Sequence, residues 1–275
     1  MGIEQLTLPR SLEHEWSVRG YYGTLSHNAK SIYQRYIGWY DANPAHPNPL
    51  PLTERSAKLV AYMGGEDAAI AKAREDFNQG EYRWVAEIMA EVIFANPSNQ
   101  AARDLAADAM EQLGYQAESA TWRNAYLQGV HELRQGLPQS LTRAPVSPDI
   151  INALTAPLFF DYLAVRLNGP KAEGKHSVIN WAFPDVSEHY VLNLQNCALT
   201  YLADRTAADA QVTVTLDRPV LSQLVLRHQT LDEVIDSGAI ALEGDAGKLR
   251  ELFELIDDFI FLFNILEPQR QSPLP

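Results

Sequence analysis

Cysteine is nearly missing. Cys197 is the single one in 275 residues, so neither an internal disulfide nor a cysteine-built zinc site can form. Basic residues are also in short supply: 22 Lys and Arg stand against 35 Asp and Glu, and the net charge of −13 repels phosphate backbones and excludes nucleic acid as a partner. No run of ~18 apolar residues occurs, and the first residues lack the successive basic, apolar and small-residue regions of an export signal. The chain as given is therefore expected neither to span a membrane nor to export itself. The seven histidines, His14, His27, His46, His131, His176, His189 and His228, are dispersed. None of them pairs with another within a helical turn or a short chelating loop, so the H-x-H and H-E-x-x-H patterns of a compact metal centre are missing. A glycine-rich phosphate loop and a G-x-S-x-G nucleophile elbow are missing as well. Together these absences argue against an independent catalyst with a locally built site.

What is present belongs to a folded protein of two domains, with 46% hydrophobic and 21% charged residues over a length that suits two cores. The joint runs from Gly136-Leu137-Pro138 to Arg143-Ala144-Pro145-Val146-Ser147-Pro148, where prolines break helices and stiffen the connector. Before it, the apolar spacing is helical throughout. Ser26 can cap a helix with an aromatic face through Ile32, Tyr33, Tyr36, Ile37 and Tyr40. Further helices are expected from near Thr53 to Gly64-Gly65, over 66–79 to Gly80, over 82–95 to Asn96-Pro97, over 98–113 from a Ser98 cap to Gly114, and through Trp122 and Leu133. Gly80 and Gly114 are 34 residues apart, the period of a tetratricopeptide repeat. Two such units leave apolar faces uncovered, and a second subunit is the simplest cover.

After the joint, a helix capped at Ser147-Pro148-Asp149 is expected to continue through Leu163 to Gly169-Pro170. Alternation then marks antiparallel strands at Ile179, Trp181 and Phe183, at Tyr190, Leu192 and Leu194, and at Val212, Val214 and Leu216. Pro219 opens a short helix, Thr230-Leu231-Asp232-Glu233 is a capping box, Ala239 to Leu242 is a brief strand, and Asp245 caps a final helix. Its apolar spacing, Leu249, Leu252, Phe253, Ile256, Phe259, Ile260 and Phe263, predicts a helix reaching the last residues. Phe261, Leu262 and Leu266 make its end apolar nearly all round, which fits either a domain contact or an open groove for an alkyl chain. Cys197, within the strand region, reads as a small buried apolar residue. The class is a multidomain one, an all-α repeat-like domain followed by an α+β domain with helices on one side of a sheet.

The run Arg19-Gly20-Tyr21-Tyr22-Gly23-Thr24-Leu25-Ser26-His27-Asn28, followed by Tyr33-Gln34-Arg35-Tyr36-Ile37-Gly38-Trp39-Tyr40-Asp41-Ala42-Asn43-Pro44, is too rich in glycine and polar aromatics for an ordinary bundle. It resembles the helical part of bacterial alkyl sulfatases with a metallo-β-lactamase-like catalytic domain, whose pattern is close to R-G-Y-Y-G-T-x-x-H-N and then Y-x-x-Y-x-G-W-Y-D-x-N-P. Ala42 stands where that family often has glycine, and the loop His46-Pro47-Asn48-Pro49 is richer in proline. The resemblance covers nearly the whole chain. It implies that residues 1–140 form an all-helical dimerisation domain with tetratricopeptide-like hairpins, and that residues 146–275 form an α+β domain similar to sterol carrier proteins. It also implies that the H-x-H-x-D-H motif for two zinc ions lies in a part this sequence does not contain, so no cofactor is expected on this chain.

The resemblance assigns His27 to the catalytic pocket, as a donor of a hydrogen bond or proton near the sulfate group, a role suited to imidazole. Arg19 could neutralise sulfate, with a solvated surface arginine as the alternative. Tyr21, Tyr22, Tyr36 and Trp39 read as core or interface aromatics. An aliphatic ligand is expected in a groove with Trp181 and Phe183 on one wall and Phe261 and Leu262 on the other. The leading reading is the noncatalytic portion of an alkyl sulfatase-like hydrolase that forms a homodimer and receives the alkyl chain of a sulfate ester, in the bacterial cytoplasm or periplasm. The alternative is a stand-alone tetratricopeptide-like adaptor carrying a lipid-binding domain.

Overall fold

The computed structural model describes residues 6–138, 153–225, 230–259 and 262–269, and these form two compact units: 6–138 together with 262–269, and 153–225 together with 230–259.

The first unit contains helices α1 (Leu25–Ile37), α2 (Leu52–Tyr62), α3 (Glu66–Asn78), α4 (Tyr82–Ala95), α5 (Gln100–Gln116) and α6 (Ala120–Gln135). Val85, Met89, Val92 and Ile93 fall at i, i+4, i+7 and i+8 of α4 and are all buried, so that helix centres the core and packs against α2, α3 and α5. On α5 the buried side chains are mostly alanines, which lets its neighbours approach closely. Gly114 belongs to this arrangement. It was expected to end the helix but lies inside α5, because a Cβ there would sit 2.9 Å from Cδ2 of Leu127 on α6. The helix starts of α3 and α5 keep the 34-residue spacing, whereas Gly80, with φ +85°, and the intrahelical Gly114 are not equivalent positions. Two caps also differ from expectation. Thr24, not Ser26, accepts the His27 amide at the start of α1, and Asn99, not Ser98, accepts the Ala102 amide at the start of α5.

Residues 262–269 do not continue a helix of the second unit; they pack as an extended strap on α5 and α6. Glu132, on α6 and only 4% exposed, accepts the backbone N–H groups of Ile265 at 2.8 Å and Leu266 at 2.9 Å. Arg103 on α5 pairs with the buried carboxylate of Glu267, and Leu266 packs beside Gly129. The expected domain of 146–275 therefore gives up its last described residues to the helical unit.

The second unit opens with α7 (Ala156–Arg166), capped by Thr155. The proposed Ser147 to Asp149 cap lies outside the described residues. Strands β1 (Ser177–Phe183), β2 (Glu188–Gln195), β3 (Ala198–Ala203), β4 (Val212–Leu216) and β5 (Ile240–Gly244) form one sheet in the order β3-β2-β1-β4-β5. The sheet is mixed, since β1 and β4 run parallel while the other pairs are antiparallel. β3 was not anticipated, and neither was the parallel pair. Asn196 and Cys197, at φ +52° and +59°, make the two-residue turn that joins β2 to β3, so Cys197 is exposed on a hairpin tip rather than buried.

Helices α8 (Arg218–Val225), α9 (Leu231–Asp236) and α10 (Ala246–Glu254) share one apolar cluster with α7 and the inward residues of the sheet. The capping box of Thr230 and Glu233 and the Asp245 cap are both formed. α10, however, ends at Glu254. Beyond it Leu255 accepts the Asn168 amide, Ile256 bridges Leu167, and the Asp257 amide binds the Arg166 carbonyl at 2.9 Å, so extended pairing replaces the helix.

Candidate functional site

The segment carrying the family-like motif is pinned to the first turn of α6. Arg19 makes a bidentate pair with Glu118, at 3.0 and 2.8 Å. The carbonyl of Tyr21 accepts the Ala120 amide at 2.7 Å, and that of Tyr22 accepts the hydroxyls of Ser119 and Thr121 at 2.6 and 2.7 Å. A Cβ at Gly23 would lie 2.7 Å from Oδ1 of Asn28, so a larger residue there would make the Asn28 side chain shift. The Arg19 hydrogen bonds hold the Glu118 carboxyl below its ordinary range, and Glu118 in turn raises the guanidinium. Arg19 is thus a latch between segment and helix.

His27 faces solvent on the first turn of α1, and the Trp122 indole N–H donates to its Nδ1 at 2.9 Å. An acceptor at Nδ1 carries no proton, so the neutral ring has its hydrogen on Nε2, which becomes a donor. The surrounding aromatics are not core. Tyr22, Tyr36 and Trp39 are 80%, 83% and 73% exposed, Tyr21 is exposed as well, and α1 buries none of its residues. Next along the chain, Asp41 accepts the Asn43 amide and binds Nδ1 of His46 at 2.8 Å, which together hold its carboxyl below the usual range. Ala42, the residue that replaces a frequent glycine, takes φ +65° there.

In the second unit the expected groove is not formed by the expected walls. Trp181 and Phe183 are buried against Phe160, with Trp181 also against Phe159 and Phe183 against Tyr190, as the aromatic centre of the core. Their alternation on β1 turns them inward under α7. Leu262 lies in the strap of the helical unit, and Phe261 lies outside the described residues. A crevice of about 200 Å³ opens instead between α7, α8 and the end of α10. Phe159, Leu163, Leu224, Phe253 and Ile256 give it apolar walls, and Tyr162, Arg166 and Asp258 stand with them as its polar groups.

Residues 3–136 match the model of the alkyl sulfatase dimerisation domain, and residues 144–268 match that of the alkyl sulfatase C-terminal domain. The chain belongs to the alkyl sulfatase family. It is 51% identical to the alkyl/aryl-sulfatase BDS1 of Saccharomyces cerevisiae over 98% of its own length and 41% of that protein. It is 46% identical to a linear primary-alkylsulfatase of Pseudomonas sp. over 96% of this chain and 39% of the relative. The solved structure of the stereoselective inverting sec-alkylsulfatase Pisa1 from Pseudomonas sp. superposes with a TM-score of 0.90 at 42% identity, covering 98% of this chain and 42% of that one. The chain thus spans about two-fifths of the length of these alkyl sulfatases. No described helix is long and apolar enough to cross a membrane.

Two contributors escape sequence reasoning within this alkyl sulfatase portion. Trp122 is 95 residues from His27, and no local pattern joins them. Arg166 and Tyr162 are one helical turn apart, a spacing that signals contact on a helix, but their place at a crevice depends on Asp258, 92 residues further on from Arg166.

Proposed function

We propose that this chain is the noncatalytic dimerisation and alkyl-chain-binding portion of a zinc-dependent alkyl sulfatase-like hydrolase that acts on aliphatic sulfate esters. The observation that carries the reading is the motif segment: a solvent-facing histidine and exposed aromatics held rigidly by α6, with no cover from the rest of the described chain. Such a surface is arranged for something else to meet it.

His27 supplies a hydrogen bond from Nε2 to a sulfate or leaving-group oxygen. Proton transfer from that nitrogen is disfavoured while Trp122 donates to Nδ1, since a neutral ring that lost it would become an imidazolate. Arg19, already paired with Glu118, positions the segment, and with that carboxylate held it can offer a sulfate only its remaining N–H groups. Among the described residues no three His, Cys, Asp or Glu side chains gather where they could hold a metal ion, so the two zinc ions of the reading have no ligand set among those residues. They would be held elsewhere in a longer polypeptide and would activate the chemistry there.

The homodimer of the reading is supported by the dimerisation-domain match and by Ile32, Tyr33, Tyr36 and Ile37, side chains of α1 that stay exposed and that a second copy would bury. Light scattering on the chain should give twice 30.8 kDa, and Ile32→Asp should return it to a monomer. A monomer at high micromolar concentration would remove the dimerisation role. Incubated with zinc and dodecyl sulfate, the chain should release no sulfate; release that a chelator abolishes would show a catalytic site of its own.

A further inference from the structure

The face of α5 and α6 beneath the strap is built as a receptor for an extended segment. The strap alternates as a strand does: Phe263 and Ile265 point outward, 53% and 67% exposed, while Asn264 and Leu266 meet the helices. Three features of the helices read it. Glu132 accepts the backbone N–H groups of Ile265 and Leu266. Gly129 leaves the space that Leu266 fills, since a Cβ there would stand 3.0 Å from Leu266 Cδ1 and 3.1 Å from Met110 Sδ. Arg103 pairs with the Glu267 carboxylate. The helical unit itself fixes that cation, because Arg103 also donates to the Leu133 carbonyl at 3.1 Å and to the Pro97 carbonyl at 3.3 Å.

Two buried groups of opposite charge thus flank one apolar notch, Glu132 with 4% exposed and Arg103 with a side chain 12% exposed. Buried charges are costly without partners, so the face is complementary to a segment that brings free amides, a leucine and a carboxylate in that order. Repeat-built helical surfaces receive extended segments in this manner. None of these contacts depends on the strap belonging to the same chain. The sequence Asn264-Ile265-Leu266-Glu267 is present in every copy, and identical elements exchange between protomers at little energetic cost. Arg103, Gly129 and Glu132 all fall within residues 3–136, the part that matches a dimerisation domain, and pairing raises the local concentration of a neighbour's strap.

We propose that the α5–α6 face takes up residues 264–267 of a second copy, so that paired chains exchange their straps. Each exchanged strap makes the same bonds to Glu132, Gly129 and Arg103 that it makes within one chain. The surface is a different one from the exposed side chains of α1, and the inference goes beyond the contact proposed for them.

The test mixes two full-length chains. In the donor, Glu132→Ala weakens the face and leaves the strap intact; in the acceptor, Leu266→Asp weakens the strap and leaves the face intact. Deuterium exchange of the strap is followed by mass spectrometry, and the substitution gives the two strap peptides different masses. Alone, the donor's strap amides should exchange roughly a hundredfold faster than those of the wild type. Excess acceptor should slow them again by about tenfold or more, whereas an acceptor that also carries Arg103→Met should not. Circular dichroism checks folding, with Arg103→Met as the second donor and Glu267→Lys as the second acceptor. Donor straps that stay fast with acceptor up to about 1 mM, the order of a tethered segment's effective concentration, overturn the proposal. Equal slowing by the acceptor that carries Arg103→Met overturns it too, because the protection then does not come from this face.

Discussion

Truncation of Glu132 to alanine should release the C-terminal strap without unfolding the helices beneath it. One oxygen of Glu132 accepts the Ile265 and Leu266 amides at 2.8 and 2.9 Å, with Asn264 Nδ2 at 3.5 Å. Hydrogen bonds to a charged acceptor contribute about 1.5–3 kcal/mol each, so two such bonds place the loss near 3 kcal/mol once water takes up part of the freed donors. Local opening at that cost speeds amide exchange roughly a hundredfold. Hydrogen exchange at Ile265 and Leu266 reads it directly. Glu132→Gln retains an acceptor oxygen in place and should cost only about 1 kcal/mol, because neutral hydrogen bonds are about half as strong. Amides in the core of α4 should keep their protection in both variants, since Val85, Met89 and Val92 are fully buried on a helix packed against α2, α3 and α5. Equal protection of residues 265 and 266 in wild type and Glu132→Ala would refute the idea that this carboxylate holds the strap.

Gly114→Val should lower stability by about 1–3 kcal/mol in urea unfolding, because its Cβ meets Leu127 at 2.9 Å and the branch enlarges the clash. Ala42→Gly and Cys197→Gly should each raise the melting temperature, as both residues hold positive φ and relief of that strain outweighs the flexibility of glycine by roughly 0.5–1 kcal/mol. Burial, with the nearby Glu188 carboxylate, pushes the Tyr190 hydroxyl up to about 12. Because the folded state holds this proton more tightly, its contribution to stability is complete below the ordinary value of 10.0 and fades as pH rises through about 12. Stability of the wild type should consequently fall more steeply over that range than that of Tyr190→Phe.

Much of the fold was readable because its causes are local. Glycines at positive φ ended α2 and α3, the Thr230 capping box and the Asp245 cap were visible as residue pairs, and alternation placed β1, β2 and β4. The failures share a different cause. Ile256 and Phe259 continue the spacing of α10, but the backbone there is claimed by Arg166 and Leu167, about 90 residues away, and local periodicity carries no trace of that. Leu266 looked like surplus helix apolarity, whereas it packs beside Gly129 on α6. β3 lies at the edge of the sheet and is largely exposed, so its alternation is weak. At the candidate site, His27 stands out in the sequence as part of the motif, while its contact with Trp122, which sets its tautomer, is legible only in three dimensions.

Whether the second unit receives an aliphatic chain, as proposed, is tested most directly by the affinity of the protein for octyl, decyl and dodecyl sulfate below micelle formation. Each buried methylene contributes about 0.8 kcal/mol, so every added pair of carbons should tighten binding roughly tenfold until a crevice of about 200 Å³ is full. Affinity that does not change with chain length would contradict it.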